Sequence, residues 1–288
     1  MAKPRKDDVT GIHTTGHEWD GIEELNTPMP RWWLYVFYAC VVWAIGYWVL
    51  YPAWPLGDDY TRGVLGHSLR QEALNDVAAA KEARKEIEDR LLATELDDAR
   101  KDEELMRFAL ANGKSAFGDN CAACHGSGAA GAKGFPNLND DDWLWGGTLE
   151  AIHETLRVGI RAENEDTRFN DMPAFLNDGI LDRDGVNDVA EYVLSLSGVE
   201  TDKAAATRGE EIFASQCTAC HGDNGQGLED LGAPNLTDAI WLYGGDKDTL
   251  VETIAYSRRG VMPAWEERLD PATIKSLALF IHSRGGGQ

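Results

Sequence analysis

Cys121-Ala122-Ala123-Cys124-His125 returns ninety-six positions later as Cys217-Thr218-Ala219-Cys220-His221 (217 − 121 = 96). C-x-x-C-H is the attachment signature of c-type haem. The two cysteines form thioethers with the porphyrin vinyl groups, and the adjacent histidine reaches the iron from one face. The spacing is steric: the chain must turn under the ring so that both sulfurs and the imidazole meet one cofactor. Zinc ribbons and thioredoxin-like redox sites share a lone C-x-x-C. Here the ligands do not group into fours at zinc-site spacing, so structural zinc does not explain the pair. The expected cofactors are two covalently bound haem c groups, on Cys121 and Cys124 and on Cys217 and Cys220, with His125 and His221 as axial ligands.

The second axial ligand follows by elimination. Cytochrome c iron is commonly held by His and Met, and the chain has five methionines. Met1 is the first residue, Met106 sits on an apolar helical position, and Met29 precedes the hydrophobic span. Met172 and Met262 each follow a C-x-x-C-H within one domain's length (172 − 125 = 47; 262 − 221 = 41) and each precedes a proline. Proline holds the residue before it in an extended backbone, which helps aim the sulfur. One candidate per haem, in matching contexts, outweighs ordinary core packing of Met. His153 competes by position, but its counterpart in the second half is Val251, and it reads as a helix-surface residue. The sequence leaves open whether the two methionines are exchanged between domains.

Working outward, the whole C-terminal part is a tandem repeat. Phe117 and Phe213 stand four residues before each first haem cysteine, and Pro136-Asn137-Leu138 and Pro234-Asn235-Leu236 follow each motif. Trp143-Leu144-Trp145-Gly146-Gly147 then matches Trp241-Leu242-Tyr243-Gly244-Gly245. Helical stretches are expected at 148–158 and 246–257, and last helices at 182–197 and 270–284, N-capped by Asp182 and Asp270. The expected class is all-α: one N-terminal transmembrane helix followed by two tandem cytochrome-c-like haem domains, at 106–200 and 203–288. The halves differ between Gly147 and Met172 (25 residues) and between Gly245 and Met262 (17 residues). The extra stretch, 161–168, reads as a charged surface loop. The tail at 285–287 reads as mobile.

Residues 1–31 form a polar tail, and its Gly, Pro and Asp content argues for little regular structure. His13 and His17 have no third ligand nearby and read as solvent-facing. From Trp32 to Gly57 there is no charged side chain over 26 positions (57 − 32 + 1). The anchor, 32–54, is long enough to cross a bilayer as one helix. Trp32, Trp33 and Tyr35 at one end and Trp48, Tyr51 and Trp54 at the other form interfacial belts. The tail and span are too long for a cleavable signal peptide, and no small-x-small site follows clearly. Cys40 reads as an apolar residue of the span. Residues 55–105 read as a charged, amphipathic helical linker, broken once or twice.

The tail holds Lys3, Arg5, Lys6 and Arg31, against Arg62 and Arg70 in the twenty residues after Trp54, which favours the tail inside. Haem attachment outside the bacterial cytoplasmic membrane gives the same orientation: a single-pass inner-membrane protein, N-terminus cytoplasmic, haem domains periplasmic. Net charge is −22 over 288 residues, which disfavours nucleic-acid binding.

The stretch Thr14-Thr15-Gly16-His17-Glu18-Trp19-Asp20-Gly21-Ile22-Glu23-Glu24-Leu25-Asn26, continued by Pro28-Met29-Pro30-Arg31-Trp32-Trp33, is more specific than the haem motifs. On it, on Gly46-Tyr47 and Tyr51-Pro52, and on the two haem repeats, the chain resembles the membrane-anchored di-haem cytochrome c subunit (subunit III, CcoP type) of cbb3-type cytochrome c oxidases. The resemblance implies a place beside a haem–copper catalytic subunit and a mono-haem cytochrome c subunit. It implies an electron-transfer role, from a cytochrome c donor towards oxygen reduction to water in a proton-translocating complex. Membrane lipid is the remaining partner.

No nucleophile, base or oxyanion arrangement is present, and His/Met iron leaves no open position for substrate. No catalytic residue is therefore assigned. The alternatives are a stand-alone membrane-anchored di-haem carrier or a cytochrome subunit of a periplasmic dehydrogenase, which explain the haems and anchor but not the tail. A di-haem peroxidase would need a displaceable ligand, against the two Met-Pro sites.

Overall fold

The computed structural model describes residues 4–285 and 287. The first three residues of the polar tail, Gly286 of the C-terminal tail and Gln288 at the end of the second expected haem domain lie outside the described residues. The described chain is mostly helical and divides into two compact units, one reaching Lys81 and the other beginning at Glu82.

In the first unit the polar tail is more ordered than its composition suggests. Strands β1 (Thr14–Trp19) and β2 (Ile22–Leu25) pair antiparallel, with Trp19 opposite Ile22. Between them Asp20 and Gly21 both have positive φ, 51° and 83°. Asp-Gly between two strands is the two-residue turn whose twist matches a hairpin, and that local signal overrides the compositional one. Helix α1 (Arg31–Leu50) carries no charge after its first residue and buries none of its side chains. At 1.5 Å per residue its 20 residues span about 30 Å, the thickness of a bilayer's hydrocarbon core. A short hairpin, β3 (Pro55–Leu56) and β4 (Asp59–Tyr60), follows, and then α2 (Leu69–Ala93), which continues into the second unit. From Leu69 the linker is helical with two breaks, before α3 (Leu96–Ala99) and before α4 (Glu103–Asn120), whereas residues 55–68, expected as part of the same helical linker, form the short hairpin and an irregular stretch.

The second unit contains both repeats. After α4 come the one-turn helix α5 (Ala122–His125), then α6 (Leu149–Val158) and α7 (Arg183–Leu196). The second repeat supplies α8 (Lys203–Gln216), α9 (Thr218–His221), α10 (Lys247–Tyr256) and α11 (Pro271–His282). The two N-caps expected from sequence, Asp182 and Asp270, are present, and Thr148 and Asp246 cap α6 and α10 in the same way: each of the four side chains accepts a backbone N–H from the first turn.

The packing does not follow the order of the repeats. Helix α11 of the second repeat packs on α4 and α6 of the first, whereas α7 of the first packs on α8 and α10 of the second. Two glycines mark the crossings. A Cβ on Gly113 of α4 would lie 2.5 Å from the Ser276 carbonyl oxygen on α11, and one on Gly209 of α8 would collide with the Asp188 carbonyl on α7. Beside them Phe117 meets Phe280 (ring centroids 5.6 Å apart) and Phe213 meets Tyr192 (5.1 Å). The cause is chain length. Only residues 197–202 separate α7 from α8, and so short a connection makes antiparallel neighbours of the helices it joins. Helix α7 therefore folds back on α8, and α11 is left to complete the partnership of α4. Arg208 to Asp188 (2.6 Å) and Lys247 to Glu191 (2.6 Å) tie α8 and α10 to α7.

Candidate haem-binding sites

Both C-x-x-C-H motifs fold alike. Cys121 and Cys217 cap one-turn helices in which the amide of the fourth residue on, His125 or His221, donates to the cysteine carbonyl at 2.9 Å. Gly126 and Gly222 end each turn. Two sulfurs and an imidazole are thereby gathered within a single turn. In each motif His Nδ1 lies 3.1 Å from a backbone carbonyl, Pro136 for His125 and Pro234 for His221. Nδ1 donates there, which fixes the tautomer and leaves Nε2 unprotonated for a metal. Burial lowers the pKa of both imidazoles, and the carbonyl bond partly opposes it, so each is neutral, as a ligand must be. Burial also pushes the Cys121 and Cys217 thiols up to about 11.

The two methionines lie with the opposite repeats. Met172 lines a cavity of about 620 Å³ together with Cys217, Cys220 and His221, and packs on the core formed by Phe213, Leu250 and Ile254. Met262 packs on the core formed by Phe117, Cys121, Ile152 and Leu156. Hydrogen bonds fix both crossings. Ile160 and Met262 exchange their backbone bonds at 2.9 and 3.0 Å, and Trp265 donates to Leu156 at 3.0 Å. Across the pseudo-symmetry, Phe175 donates to Ile254 at 3.1 Å and Ser257 Oγ donates to the Met172 carbonyl. Gly159, with φ 71°, ends α6 where the Met262 strand passes, and a Cβ there would lie 2.5 Å from the Met262 carbonyl oxygen. Arg161 joins the two crossing strands by donating to the Gly260 carbonyl (2.7 Å) and the Asn170 carbonyl (3.0 Å).

The residues present fit haem. The cavity is of ligand size, it brings a neutral histidine, a methionine and two cysteines together, and its wall combines apolar side chains such as Phe175, Val189 and Leu250 with a few charged ones. The Nε of Arg168 is buried without a hydrogen-bond partner. His153, on α6, is half-buried and lies near Lys275 and Glu154; it lines no part of the cavity.

A family model described as the N-terminal domain of cytochrome oxidase-cbb3, FixP, matches residues 11–58. One for cytochrome c matches 110–197, and one for cytochrome c oxidase, cbb3-type, subunit III matches 204–281. The chain is 54% identical to the cbb3-type cytochrome c oxidase subunit CcoP of Azospirillum brasilense, over the full length of both. The chain belongs to the CcoP/FixP family of cbb3-type oxidase subunits. Subunit FixP of Bradyrhizobium diazoefficiens is 56% identical over 98% of each chain, and subunit CcoP of Cereibacter sphaeroides 52% over 99% of each. As a CcoP-family chain it is a membrane-anchored, di-haem electron-transfer subunit of the oxidase, with covalently bound haem c in its cytochrome domains. The stand-alone carrier is set aside by the match across tail, anchor and both repeats.

The insertion at 161–168 is not merely a solvated loop. Arg161 pairs back to Arg168, and Asn164 reaches Glu266 at 2.6 Å. Arg168 and its counterpart Arg258 were not singled out from the sequence. Their signal is positional: each stands four residues before a methionine (172 − 168; 262 − 258).

Proposed function

We propose that this CcoP-family subunit takes electrons from a periplasmic cytochrome c and delivers them towards the haem–copper catalytic subunit, beside a mono-haem cytochrome c subunit. The tail lies in the cytoplasm and the haem domains, 106–200 and 203–288 by sequence, in the periplasm. Each haem is attached within its own repeat but completed by the other. Cys121 and Cys124 would hold one, with His125 and Met262 as the residues that would bind its iron; Cys217 and Cys220 would hold the other, with His221 and Met172. The observation that carries the reading is the single cavity shared by Cys217, Cys220, His221 and Met172.

Haem c supplies a one-electron couple. The chain does the rest. Pro136 and Pro234 carbonyls orient the imidazoles, and thioether ligation raises the potential relative to ligation by a second histidine. Phe117, Leu149 and Leu156 in one half, and Phe213, Leu250 and Ile254 in the other, exclude water from the ligand side. Because each methionine strand crosses between halves, the two sites are held by one continuous set of backbone bonds. That favours a fixed separation between the cofactors.

Affinity purification in mild detergent through a tag on this subunit tests the role. Co-purifying b-type haem bands and cyanide-sensitive, cytochrome-c-dependent oxygen uptake are expected. Isolation of c-type bands alone, with no oxygen uptake under gentle conditions, would contradict it.

A further inference from the structure

Arg168 and Arg258 occupy equivalent places. Arg168 donates to the carbonyls of Trp145 (3.1 Å) and Ala151 (3.2 Å), and its guanidinium lies 5.5 Å from the Trp145 ring centroid. Arg258 donates to the carbonyl of Thr249 (2.8 Å), with its guanidinium 4.7 Å from the Tyr243 ring. Trp145 and Tyr243 each lie two residues before the second glycine of the Gly-Gly pair, and Ala151 and Thr249 four after it. Two arginines from unlike surroundings, one in the 161–168 insertion and one directly after α10, thus converge on the same frame.

Neither guanidinium is fully used by the protein. Arginine has five N–H donors. Arg168 makes two hydrogen bonds and no ion pair among the described residues, and its buried Nε has no acceptor. Arg258 adds Thr253 and Glu252 to its acceptors, still leaving an N–H, and lines the cavity that holds His221 and Met172. The other cations lining that cavity are differently placed. Arg161 is bonded to the two crossing strands, Arg259 pairs with Asp171, and Lys133 is exposed. A desolvated guanidinium with donors left over suits a carboxylate, which it binds in fork geometry. Haem is the cofactor of these sites, and it carries two carboxylates as propionates.

We infer that Arg168 and Arg258 anchor haem propionates, each for the haem attached within its own repeat. Resting on the exchanged axial ligation proposed above, each Arg-x-x-x-Met-Pro strand then serves both haems. Arg258 holds the haem of Cys217 and Cys220, while Met262, four residues on, ligates the haem of Cys121 and Cys124. Arg168 and Met172 do the reverse. The strand passes from one site to the other within residues 169–171 and 259–261. A cation beside a propionate stabilises the reduced, less positive haem, so these are residues that position the cofactor and set its potential.

The test is a redox titration of the full-length, haem-loaded subunit. Met172→His labels the haem it serves by lowering that haem's potential, and Met262→His labels the other. Arg258→Gln is expected to lower the potential of the labelled haem in the Met172→His background and of the unlabelled haem in the Met262→His background. Arg168→Gln is expected to give the opposite pattern. The shift should be about tenfold in the ferrous-to-ferric ratio at fixed applied potential, about 59 mV for a one-electron couple. Arg258→Lys should recover most of it, which a purely packing role would not do. A shift on the wrong haem, no shift on either, or a lysine variant as low as the glutamine one would each overturn the inference. Absence of c-type bands from the unsubstituted chain would overturn the haem-binding reading itself. Haems present with unmoved potentials would overturn only the propionate anchors.

Discussion

At the scale of single residues, hydrogen bonds decide what the side chains can do. One carbonyl each prepares His125 and His221 for the ligand role proposed for them, because an imidazole whose Nδ1 is engaged presents a lone pair at Nε2. The cysteines and histidines of the two motifs were legible as a set, since C-x-x-C-H is a local pattern and folds locally. Met172 and Met262 were legible as residues but not as partners of a given haem, because that pairing depends on helix packing far along the chain. Asp142 was not legible at all. It lines a small acidic recess with Asp141, Glu229 and Asp238, and burial, followed by Asp238, Asp140 and Glu229, raises its pKa to about 6. Its folded form binds a proton more tightly than an unfolded aspartate, whose pKa is about 3.9. Its contribution to stability is therefore present below about 4 and is lost as pH rises through about 6. Asp142→Asn should flatten the pH dependence of thermal unfolding over that window and unfold at a higher temperature than the unsubstituted protein at pH 8. An unchanged profile would show that the recess is better solvated than its geometry implies.

At the scale of elements, helices and the repeat were readable from caps and periodicity: α7 and α11 begin one residue after their expected caps, and α6 and α10 fall within one residue of their expected starts. The tail hairpin was missed because composition was weighed over the two-residue turn at Asp20-Gly21. The partnership of α7 with α8 had a signal in the six residues 197–202 (202 − 197 + 1), too few to let two complete domains form side by side without their end helices meeting. Its tightest point is Gly209, where a Cβ would meet the backbone carbonyl of Asp188 and the Cβ of Tyr192. Gly209→Ala should cost about 1–3 kcal/mol by overpacking, seen as a lower unfolding temperature. Because α7 follows the Met172 strand, the variant should also lose part of the Met-to-iron charge-transfer absorption of one haem. Gly118→Ala, at an open position on α4, should do neither.

At the scale of the whole molecule, the strongly acidic charge bears on the proposed electron-transfer role. Residues 1–31 carry four positive and six negative charges, so about −20 of the net −22 lies in the rest of the chain. Such a surface steers a cationic donor at low ionic strength. Electron entry from a basic cytochrome c should slow by about tenfold or more as salt rises from low to physiological strength. Salt-independent entry would indicate a donor held in place by the membrane. In the function proposed above, each haem is attached by one repeat and ligated by the other. An experimental structure of the haem-loaded subunit, at a resolution that places methionine sulfur, tests it most directly. Met262 Sδ is expected on the iron that His125 binds, and Met172 Sδ on the iron that His221 binds. Each methionine found on the haem of its own repeat would contradict it.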